Sequence, residues 1–381
     1  MRVHGAWLTD PGVQAVLAML AEGGHQALIV GGAVRNALLG HDVSDIDIAT
    51  DARPERVQQL AKAANIRAVP TGIEHGTVTL VVAAVGHEVT TFRRDVETFG
   101  RHAVVAFADN IVDDAARRDF TMNALYVDAA GNVIDPLGEG LADLAAGRVR
   151  FVGHPDDRIL EDYLRILRFF RFTAWFGAPD AGVDADALAA CAEHALGVEG
   201  LSRERVGAEM RKLLAAPNPA PAVTAMQTAG VLAHLLPGAD ARSLAPLVHF
   251  EAGRVPDWRR RLAVLGGKDV AEALRLARAD ARALDVLVTA SRDDAPAAVL
   301  GYQFGADLGA SALLARAALT GYAPSDGWQA ELARGAGATF PLKAADLMAA
   351  VSGAALGARL KELEARWIAS DFALTRAELL A

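Results

Sequence analysis

The sequence is short of the residues that stabilise secreted or metal-bridged proteins. Cys191 is the single cysteine among 381 residues, so no disulfide can form within one chain, and no Cys/His cluster has the spacing of a zinc site. No stretch of about 18 uninterrupted apolar residues occurs, and Met1 to Asp10 lacks the basic start and apolar core of a signal peptide. These absences disfavour secretion and membrane spanning, and we expect the protein to be cytoplasmic.

An excess of positive charge is also missing. Lys and Arg total 38 against 47 Asp and Glu, which gives a formal net charge of -9. Proteins that coat nucleic acid non-specifically depend on clustered Lys and Arg, so the overall balance argues against that class while leaving local basic surfaces possible. Apolar residues make up 52% of the chain and charged residues 22%, the balance of a folded globular protein with room for two or more packed units.

Two kinds of pattern divide the chain. Short strand-like runs at 26–30, 46–49, 77–85 and 88–92 alternate with Gly-containing turns in the first third, and a helix is predicted over 54–64. A turn at 85–87 makes two of these strands an antiparallel hairpin, so the sheet is predicted to be mixed. Residues 93–109 lack periodicity and are predicted to form a mobile loop, with a helix starting near Asp113. From Pro155 onward the spacing is helical, which makes the fold class α+β with the sheet-containing part ending near residue 152.

Paired aspartates give the sharpest chemical signal. On a strand, Asp45 and Asp47 point to the same face while Ile46 and Ile48 point to the core. Two carboxylates held side by side repel each other unless a cation neutralises them, and oxygen ligands of this kind suit Mg²⁺. The alternative is a solvent-facing strand with an acidic stripe.

A glycine turn and a further carboxylate accompany this pair. Gly31 and Gly32 lie between a predicted strand and a helix, where backbone N–H groups and the helix dipole can hold an anion such as a triphosphate. Arg35 can add a charged fork to the phosphates, or be an ordinary surface arginine. Glu88 opens the strand after the hairpin turn and is the candidate third carboxylate that deprotonates an attacking hydroxyl.

Four sequence blocks follow one another along the chain, and they are Gly31 to Arg35, Asp45 to Thr50, Arg117 to Ala124 and Glu161 to Phe172. In order and spacing they resemble the bacterial tRNA nucleotidyltransferase and poly(A) polymerase family, class II members of the DNA polymerase beta superfamily. A fifth, Ser202 to Glu209, is similar to the helix that supports the family's nucleotide-selecting helix. The resemblance implies a mixed-sheet nucleotidyltransferase head at 1–152, an all-α neck at 153–217 and a tRNA-binding helical body and tail at 218–381.

The carboxy-terminal part adds to the resemblance, and one position departs from it. The segments 343–348, 356–361 and 367–368 look like the tail of the CCA-adding branch, whereas 236–335 contains nothing diagnostic. Asn36 stands where the family often has Asp, which removes one charge near the metals, and we expect this to be tolerated. A His-Asp phosphohydrolase cluster of the kind some members append is absent, so added phosphatase activity is not expected.

The resemblance assigns roles to the charged residues of the second and third blocks. It implies that Asp45 and Asp47 bind two Mg²⁺ ions, one at the RNA 3′-hydroxyl and one at the triphosphate. It also implies that one face of a helix binds the ribose and triphosphate, with Asp119 and Asn123 adjacent at i and i+4. The alternative is a solvated charged turn. The residues of this third block are Arg117, Arg118, Asp119 and Asn123.

Base selection follows from the hydrogen-bonding groups of the fourth block. On a helix, Glu161, Asp162 and Arg165 form one polar cluster in which Glu161 orients Arg165. A carboxylate accepts from an exocyclic amine and a guanidinium donates to ring acceptors, a pattern that cytosine and adenine both match. Uracil and guanine leave the carboxylate unpaired, at about 1 to 3 kcal/mol. An ordinary surface ion-pair network is the alternative.

Four arginines after the head concentrate positive charge in an acidic chain and suggest a channel for triphosphate and RNA, and they are Arg158, Arg165, Arg168 and Arg171. The function implied by the resemblance is Mg²⁺-dependent addition of C, C and A from CTP and ATP to the 3′ end of tRNA. The alternatives are a poly(A) polymerase, an enzyme adding only CC or only A, and a non-catalytic RNA-binding protein. No membrane association is expected, and no protein partner can be inferred.

Overall fold

The computed structural model describes residues 1–99, 102–348 and 351–381, with only the backbone described at 95–99 and 102–105. The chain divides into two compact units, the first comprising Met1–Pro237 with Glu272–Arg275, and the second Gly238–Ala271 with Leu276–Ala381. The finer division at residues 152 and 217 remains a prediction. Among the residues described, no helix is both long and apolar enough to cross a lipid bilayer.

All the strands belong to the first unit. They span Ala27–Val30 (β1), Asp47–Thr50 (β2), Arg67–Gly72 (β3), Thr77–Val82 (β4), Val85–Thr91 (β5), Arg93–Phe99 (β6), His102–Phe107 (β7), Tyr126–Val127 (β8) and Val133–Ile134 (β9). The list of strands and their assignment to the first unit refer to the residues that the structure describes.

Helices surround the sheet and make up most of the chain after Pro155. Those of the first unit span Pro11–Glu22 (α1), Gly32–Leu39 (α2), Pro54–Ala63 (α3), Ile111–Ala116 (α4), Gly140–Ala145 (α5), Pro155–Glu161 (α6), Leu164–Phe176 (α7), Ala185–Glu193 (α8), Arg203–Leu214 (α9), Ala220–Thr228 (α10) and Val231–Leu235 (α11). Those that follow span Leu244–Phe250 (α12), Trp258–Leu265 (α13), Val270–Ala273 (α14), Arg278–Ala290 (α15), Ala297–Thr320 (α16), Trp328–Gly337 (α17), Ala354–Ala369 (α18) and Arg376–Leu380 (α19).

The main sheet is mixed, as the sequence predicts. Its strand order is β3-β4-β5-β2-β1-β8-β9, with β2 parallel to β5 and the other neighbouring pairs antiparallel. Ile29 of β1 and Ile48 of β2 are directly opposite in register and fully buried, so the apolar face of these strands packs into the core. The α+β fold class is confirmed, with helices following a sheet-containing head.

The hairpin turn between β4 and β5 lies two residues earlier than predicted. Ala83 and Ala84 form it, both with positive φ (48° and 65°), and β5 already begins at Val85. Two-residue hairpin turns need this left-handed backbone, which Gly or Asn adopts most easily. The predicted turn centred on Gly86 was therefore wrong because Gly86 is a strand residue, paired with Val81.

Residues 93–109, predicted as a mobile loop, instead contain a second antiparallel hairpin. Strands β6 and β7 pair with each other, with a register shift between Asp95 and Glu97. The base of this hairpin is tied to the head, since the Arg53 guanidinium lies 5.0 Å from the Phe107 ring centroid and 2.9 Å from Asp109. Residues 100–101 lie outside the described residues.

The second unit contains its own apolar core in the carboxy-terminal segment. Trp367 of α18 packs with Tyr302 and Phe372 at ring-centroid distances of 5.4 and 4.9 Å. Leu363 and Leu379, both fully buried, join the same cluster. The segments 343–348, 356–361 and 367–368 that resemble the family's tail thus belong to a packed region.

Candidate active site

The glycine turn links β1 to α2 at the edge of the site. Gly31 has φ 75° and ψ −122°, a backbone conformation that glycine tolerates and L side chains rarely adopt. Its N–H donates to the Leu125 carbonyl at 3.1 Å, so that particular amide is already engaged. A Cβ at Gly31 would lie 3.5 Å from Nη1 of Arg118. The turn therefore brings the start of α2 next to an arginine of the third sequence block.

The two aspartates lie at the exposed start of β2. The strand begins at Asp47, whereas Asp45 precedes it, so the prediction that both are strand residues was wrong for Asp45. Both carboxylates are exposed, Ile48 is fully buried and Ile46 is half-buried. The apolar side of the pattern thus anchors the strand while the acidic residues remain accessible.

Glu88 is the third carboxylate at this position. It is exposed and lies in direct register with Asp47 across the parallel pair β2 and β5. Although Asp47 is exposed by surface area, partial loss of solvent around its carboxylate, the charge of Glu88 and then that of Asp45 raise its pKa, while Arg118 opposes the rise. Negative charge therefore collects at the start of β2, where the groups are close enough to affect one another's ionisation.

Arg35, predicted to be a phosphate fork, is 8% exposed and contacts the surrounding protein. Its Nη1 donates to Oδ1 of Asn123 at 2.6 Å, and its Nε and Nη2 donate to Oδ1 of Asn36 at 3.2 and 2.8 Å. The guanidinium also lies 4.1 Å from the Phe176 ring centroid on α7. Burial and the charge of Arg171 lower the pKa of Arg35 to about 10. Asn36, which stands where the family often has Asp, thus still accepts hydrogen bonds from Arg35, although its side chain is neutral.

Asp119 connects the third and fourth sequence blocks. Its Oδ1 accepts from Nδ2 of Asn123 at 2.9 Å, and its Oδ2 accepts from Nε of Arg168 at 2.8 Å. Burial acts to raise the pKa of Asp119, but Arg168 and the hydrogen bonds hold it below its usual value. The two residues predicted at i and i+4 of a helix are indeed in contact. The helix prediction was wrong, because Asp119 lies in a bend and Asn123 ends a short 3₁₀ turn at Thr121–Asn123.

Asp114 of α4 binds two arginines of the third block, and the sequence analysis did not single it out. Its carboxylate is 1% exposed and binds both Arg117 and Arg118, with nitrogen–oxygen distances of 2.6 and 2.9 Å. The Tyr126 hydroxyl donates to it as well, at 2.7 Å. The two arginines and these hydrogen bonds outweigh burial and lower the pKa of Asp114 to about 2. Its proximity to the two arginines, at i+3 and i+4, was the signal available in the sequence.

The fourth sequence block, predicted to select the nucleotide, spans the end of one helix and a second helix, with a break between them. Helix α6 ends at Glu161, Asp162 has an extended backbone (φ −156°, ψ 105°), and α7 begins at Leu164. The prediction of one continuous helix was therefore wrong at Asp162. Glu161 nevertheless pairs with Arg165 and lies 2.6 Å from Nη2 of Arg158, so the predicted polar contact forms across the break.

Helix α9 supports this break. Nη2 of Arg205 donates to Oδ2 of Asp162 at 2.5 Å, and Oδ1 of Asp162 accepts from the Leu164 backbone N–H at 3.1 Å. Nε of Arg171 donates to Oε2 of the buried Glu209 at 2.5 Å. The fifth sequence block therefore orients two residues of the fourth, in agreement with its predicted supporting role.

A cavity of about 260 Å³ opens between the third and fourth blocks. Its lining residues are almost all charged, and they are Arg117, Arg118, Asp119, Asp162, Leu164, Arg165, Arg168 and Arg205. Five arginines against two aspartates make this wall cationic, which favours an anion such as a triphosphate.

Six of the predicted site residues thus meet in one cavity, and others lie beside it. Asp45, Asp47 and Glu88 form the separate acidic group, and they are connected to the cavity through the effect of Arg118 on Asp47. Glu161, Arg35 and Asn123 do not line the cavity, and each contacts a residue that does or that positions one. Arg205 and Leu164 are additional lining residues that the sequence reasoning did not assign to the site.

Ion pairs with carboxylates reduce the net positive charge of the predicted basic channel. Arg168 and Arg171 each bind a carboxylate, and Arg158 shares Glu161 with Arg165. Phe169, Phe170 and Phe172 are buried, as expected of core residues and not of base-stacking platforms. The positive potential is therefore concentrated at the cavity wall, where arginines outnumber acids.

Comparison with known proteins agrees with this arrangement. The family model of the Poly A polymerase head domain matches residues 27–150, which contain the first three sequence blocks. A second model, described as the probable RNA and SrmB-binding site of polymerase A, matches residues 182–242. In the part of the chain that the structure describes, no group of three or more His, Cys, Asp or Glu side chains is arranged to hold a metal ion by itself.

Named relatives and a solved structure resemble the chain over different lengths. The mouse (Mus musculus) protein called CCA tRNA nucleotidyltransferase 1, mitochondrial, is 41% identical over 208 residues, which are 54% of this chain and 48% of the mouse protein. The CCA-adding enzyme of Levilactobacillus brevis is 39% identical over 218 residues, 57% of this chain and 53% of that enzyme. The chain thus spans about half the length of the curated relatives it matches.

The structural likeness is more extensive. The crystal structure of the Bacillus stearothermophilus CCA-adding enzyme in complex with CTP has a TM-score of 0.75 and 28% identity, covering 94% of this chain and 93% of that one. The head-domain match at 27–150 includes the glycine turn, the acidic residues at the start of β2 and two of the cavity arginines, Arg117 and Arg118. In its sequence blocks, fold and site, the chain is thus similar to the tRNA nucleotidyltransferase and poly(A) polymerase family, with the head-domain model matching residues 27–150.

Proposed function

We propose that the chain adds C, C and A, taken from CTP and ATP, to the 3′ end of tRNA by nucleotidyl transfer with release of pyrophosphate. The observation that carries this proposal is the combination of an acidic group at the start of β2 with a cationic cavity lined by Arg117, Arg118, Asp162 and Arg165. Acids beside an arginine-rich wall suit a reaction that handles both a triphosphate and a divalent cation. We expect the protein to work in the cytoplasm.

The acidic group fits Mg²⁺ by its donors and its charge. Asp45 and Asp47 offer exposed carboxylate oxygens, and the raised pKa of Asp47 reflects burial and the neighbouring charges of Glu88 and Asp45. Mg²⁺ is commonly held by one or two carboxylates together with substrate phosphates and water, so a complete protein cage is not required. When bound, the ion would lower the pKa of the attacking 3′-hydroxyl and neutralise phosphate charge.

The protein's own residues supply positioning. In this proposal Arg117 and Arg118 hold the triphosphate, while Asp119 and Asn123 contact the sugar side of the nucleotide. Gly31 and Gly32 place the start of α2 beside the phosphates, with Arg35 behind them, and Arg168 extends the cationic wall. Glu88 is positioned to accept the proton of the RNA 3′-hydroxyl.

Base choice is assigned to the break between α6 and α7. Asp162 accepts from the exocyclic amine of cytosine or adenine, and Arg165, oriented by Glu161, donates to a ring acceptor. Since Arg205 holds Asp162 from the other side, the carboxylate is kept in one orientation while 34% of its side chain stays exposed. A fixed acceptor discriminates better than a mobile one, because a wrong base cannot be accommodated by rotation.

The length of the product distinguishes the proposed activity from the alternative activities. The assay incubates the full chain with Mg²⁺, CTP, ATP and tRNAs ending before the first C, the second C or the A, and resolves products to single nucleotides. The proposal predicts completion to CCA from each substrate. Long A-tails favour a poly(A) polymerase, a stop after CC or addition of A alone favours a specialised enzyme, and tRNA binding without any incorporation favours a non-catalytic RNA-binding protein.

A further inference from the structure

Asp114 occupies a central position that the proposed function does not itself explain. It lies on α4, its side chain is 1% exposed, and it does not line the cavity. Both of its carboxylate oxygens nevertheless accept hydrogen bonds from arginines that line the cavity, and one of them also accepts from the backbone at the start of β6.

Its first oxygen joins the hairpin to one cavity arginine. Oδ1 accepts from Nε and Nη2 of Arg117 at 2.9 and 2.6 Å, which is a two-pronged contact that fixes the plane of the guanidinium. The same oxygen accepts from the backbone N–H of Arg93, at the start of β6, at 3.2 Å.

Its second oxygen fixes the other cavity arginine. Oδ2 accepts from Nη2 of Arg118 at 2.9 Å and from the Tyr126 hydroxyl at 2.7 Å. The Tyr126 oxygen in turn accepts from Nε of Arg118 at 3.1 Å, so Asp114, Arg118 and Tyr126 close a ring of hydrogen bonds. The Arg118 guanidinium also lies 5.3 Å from the centroid of the Tyr126 ring. Arg118 is thereby held on several sides.

The charge balance of this cluster leaves room for an anion. One carboxylate faces two guanidinium groups, so the cluster keeps a net positive charge while the mutual repulsion of the arginines is reduced. Because both arginines also line the cavity, their remaining N–H groups are available at its wall. A long arginine side chain that is fixed in advance loses less conformational entropy when it binds a ligand.

We propose that Asp114 is the positioning residue that holds Arg117 and Arg118 in the orientation in which they receive the triphosphate of the incoming nucleotide. This inference rests on the proposed function for the identity of the ligand. Asp114 itself does not touch the substrate, and its effect reaches the nucleotide through the two arginines.

The chain offers a matched control for a purely structural role. Asp143 is also fully buried and also binds two arginines, Arg150 at 2.9 Å and Arg148 at 3.3 Å, and it accepts from the Thr121 hydroxyl at 2.7 Å. Neither Arg148 nor Arg150 lines the cavity. Substituting either aspartate removes a buried carboxylate from two arginines, but only the Asp114 change releases arginines that face the ligand.

The test measures the Kd of CTP and of ATP with Mg²⁺ and without tRNA for the full chain and for Asp114→Asn, Asp143→Asn and Tyr126→Phe. Chemical denaturation of each variant reports its stability. We expect Asp114→Asn to raise the Kd by about tenfold or more, which corresponds to about 1.4 kcal/mol, because both arginines lose their charged partner. Asp143→Asn should lose stability with its Kd unchanged. Tyr126→Phe, which keeps the Asp114 charge, should raise the Kd by a smaller factor.

Three results would overturn the inference. An unchanged Kd in folded Asp114→Asn is one, and equal increases in Asp114→Asn and Asp143→Asn are another. If Asp114→Asn does not fold, Tyr126→Phe decides, and an unchanged Kd in that variant is the third. A wild-type chain that binds CTP but never extends tRNA contradicts the proposed function and leaves the Asp114 comparison intact, whereas no binding of either nucleotide contradicts both.

Discussion

Asp47 on β2 and Glu88 on β5 lie directly opposite each other in the parallel register of two adjacent strands. After burial, the charge of Glu88 is the largest contribution to the raised pKa of Asp47, ahead of that of Asp45. The sheet therefore brings the Glu88 carboxylate, which is distant in sequence, to the start of β2, where Asp45 and Asp47 are also charged. This register is what makes Glu88 the candidate for the proton-accepting role.

Glu88→Gln tests that role. We expect kcat for nucleotide incorporation to fall by about 10² to 10⁴, the range typical of losing a general base, with little change in the KM of CTP. Glu74→Gln is the control, because Glu74 is 85% exposed and pairs only loosely with His75, at 3.9 Å. Steady-state rates across substrate concentrations separate the two constants. Unchanged kcat in Glu88→Gln would assign proton transfer to another group.

The pKa of Asp47 predicts a trade-off between stability and activity. Because the pKa is raised in the folded chain, the folded protein binds this proton more tightly than the unfolded chain. Ionising Asp47 therefore lowers stability as the pH rises from its unfolded pKa of about 4 through the folded value. Asp47→Asn removes this cost, so the metal-free variant should be more stable than wild type at neutral pH, and the difference should disappear below about pH 4.

Urea denaturation with a chelator at both pH values measures this difference. Adding Mg²⁺ should then stabilise the wild type and have little effect on Asp47→Asn, because the variant lacks one of the proposed ligands. A metal-free Asp47→Asn protein that is less stable than wild type at neutral pH would show that the carboxylate is not under electrostatic strain.

The contact between Asp162 and Arg205 predicts a graded loss of base choice. Asp162→Ala should let UTP and GTP compete about tenfold better against CTP and ATP, because no carboxylate is left unpaired by the wrong base. Arg205→Ala should show a smaller effect, since it frees Asp162 to rotate without removing it. Arg203→Ala is the control, because Arg203 on the same helix pairs with the exposed Glu272 instead. Competition assays with mixed nucleotides give the ratios, and equal loss in all three variants would contradict this assignment.

The sequence predicted some elements accurately and others poorly, and the difference has physical causes. Strands β1 and β2 and helix α2 were found close to their observed bounds, because apolar periodicity and glycine positions are local signals. Asp45, Asp47 and four of the five cavity arginines were predicted from motif spacing within short segments, whereas Arg205 was not. The contact between Asp119 and Asn123 was predicted correctly from a helix that does not exist, since a 3₁₀ turn brings the two residues together as well.

Two of the misses involve contacts from elsewhere in the chain, and a third lacks a local sequence signal. Asp162 interrupts a segment that is helical by composition, because Arg205 of α9 and the Leu164 N–H bind its carboxylate and stabilise the extended backbone. The turn at Ala83 and Ala84 carries no Gly or Asn signal at its own positions. Asp114 was overlooked because its burial and its contact with Tyr126 depend on how α4 packs against the sheet.

In our proposal, metal-dependent addition to the tRNA 3′ end depends on the acidic residues at the start of β2. Incorporation of CTP into a tRNA that lacks its final three nucleotides, measured for wild type and for Asp45→Ala and Asp47→Ala over a Mg²⁺ titration, tests it most directly. Asp42→Ala is the control, because Asp42 is an exposed acid in the same loop and its carbonyl, not its side chain, contacts Asn36. We predict Mg²⁺-dependent incorporation by wild type and Asp42→Ala and none by the other two variants, all of which should retain tRNA binding. Undiminished incorporation by folded Asp45→Ala or Asp47→Ala would contradict the account.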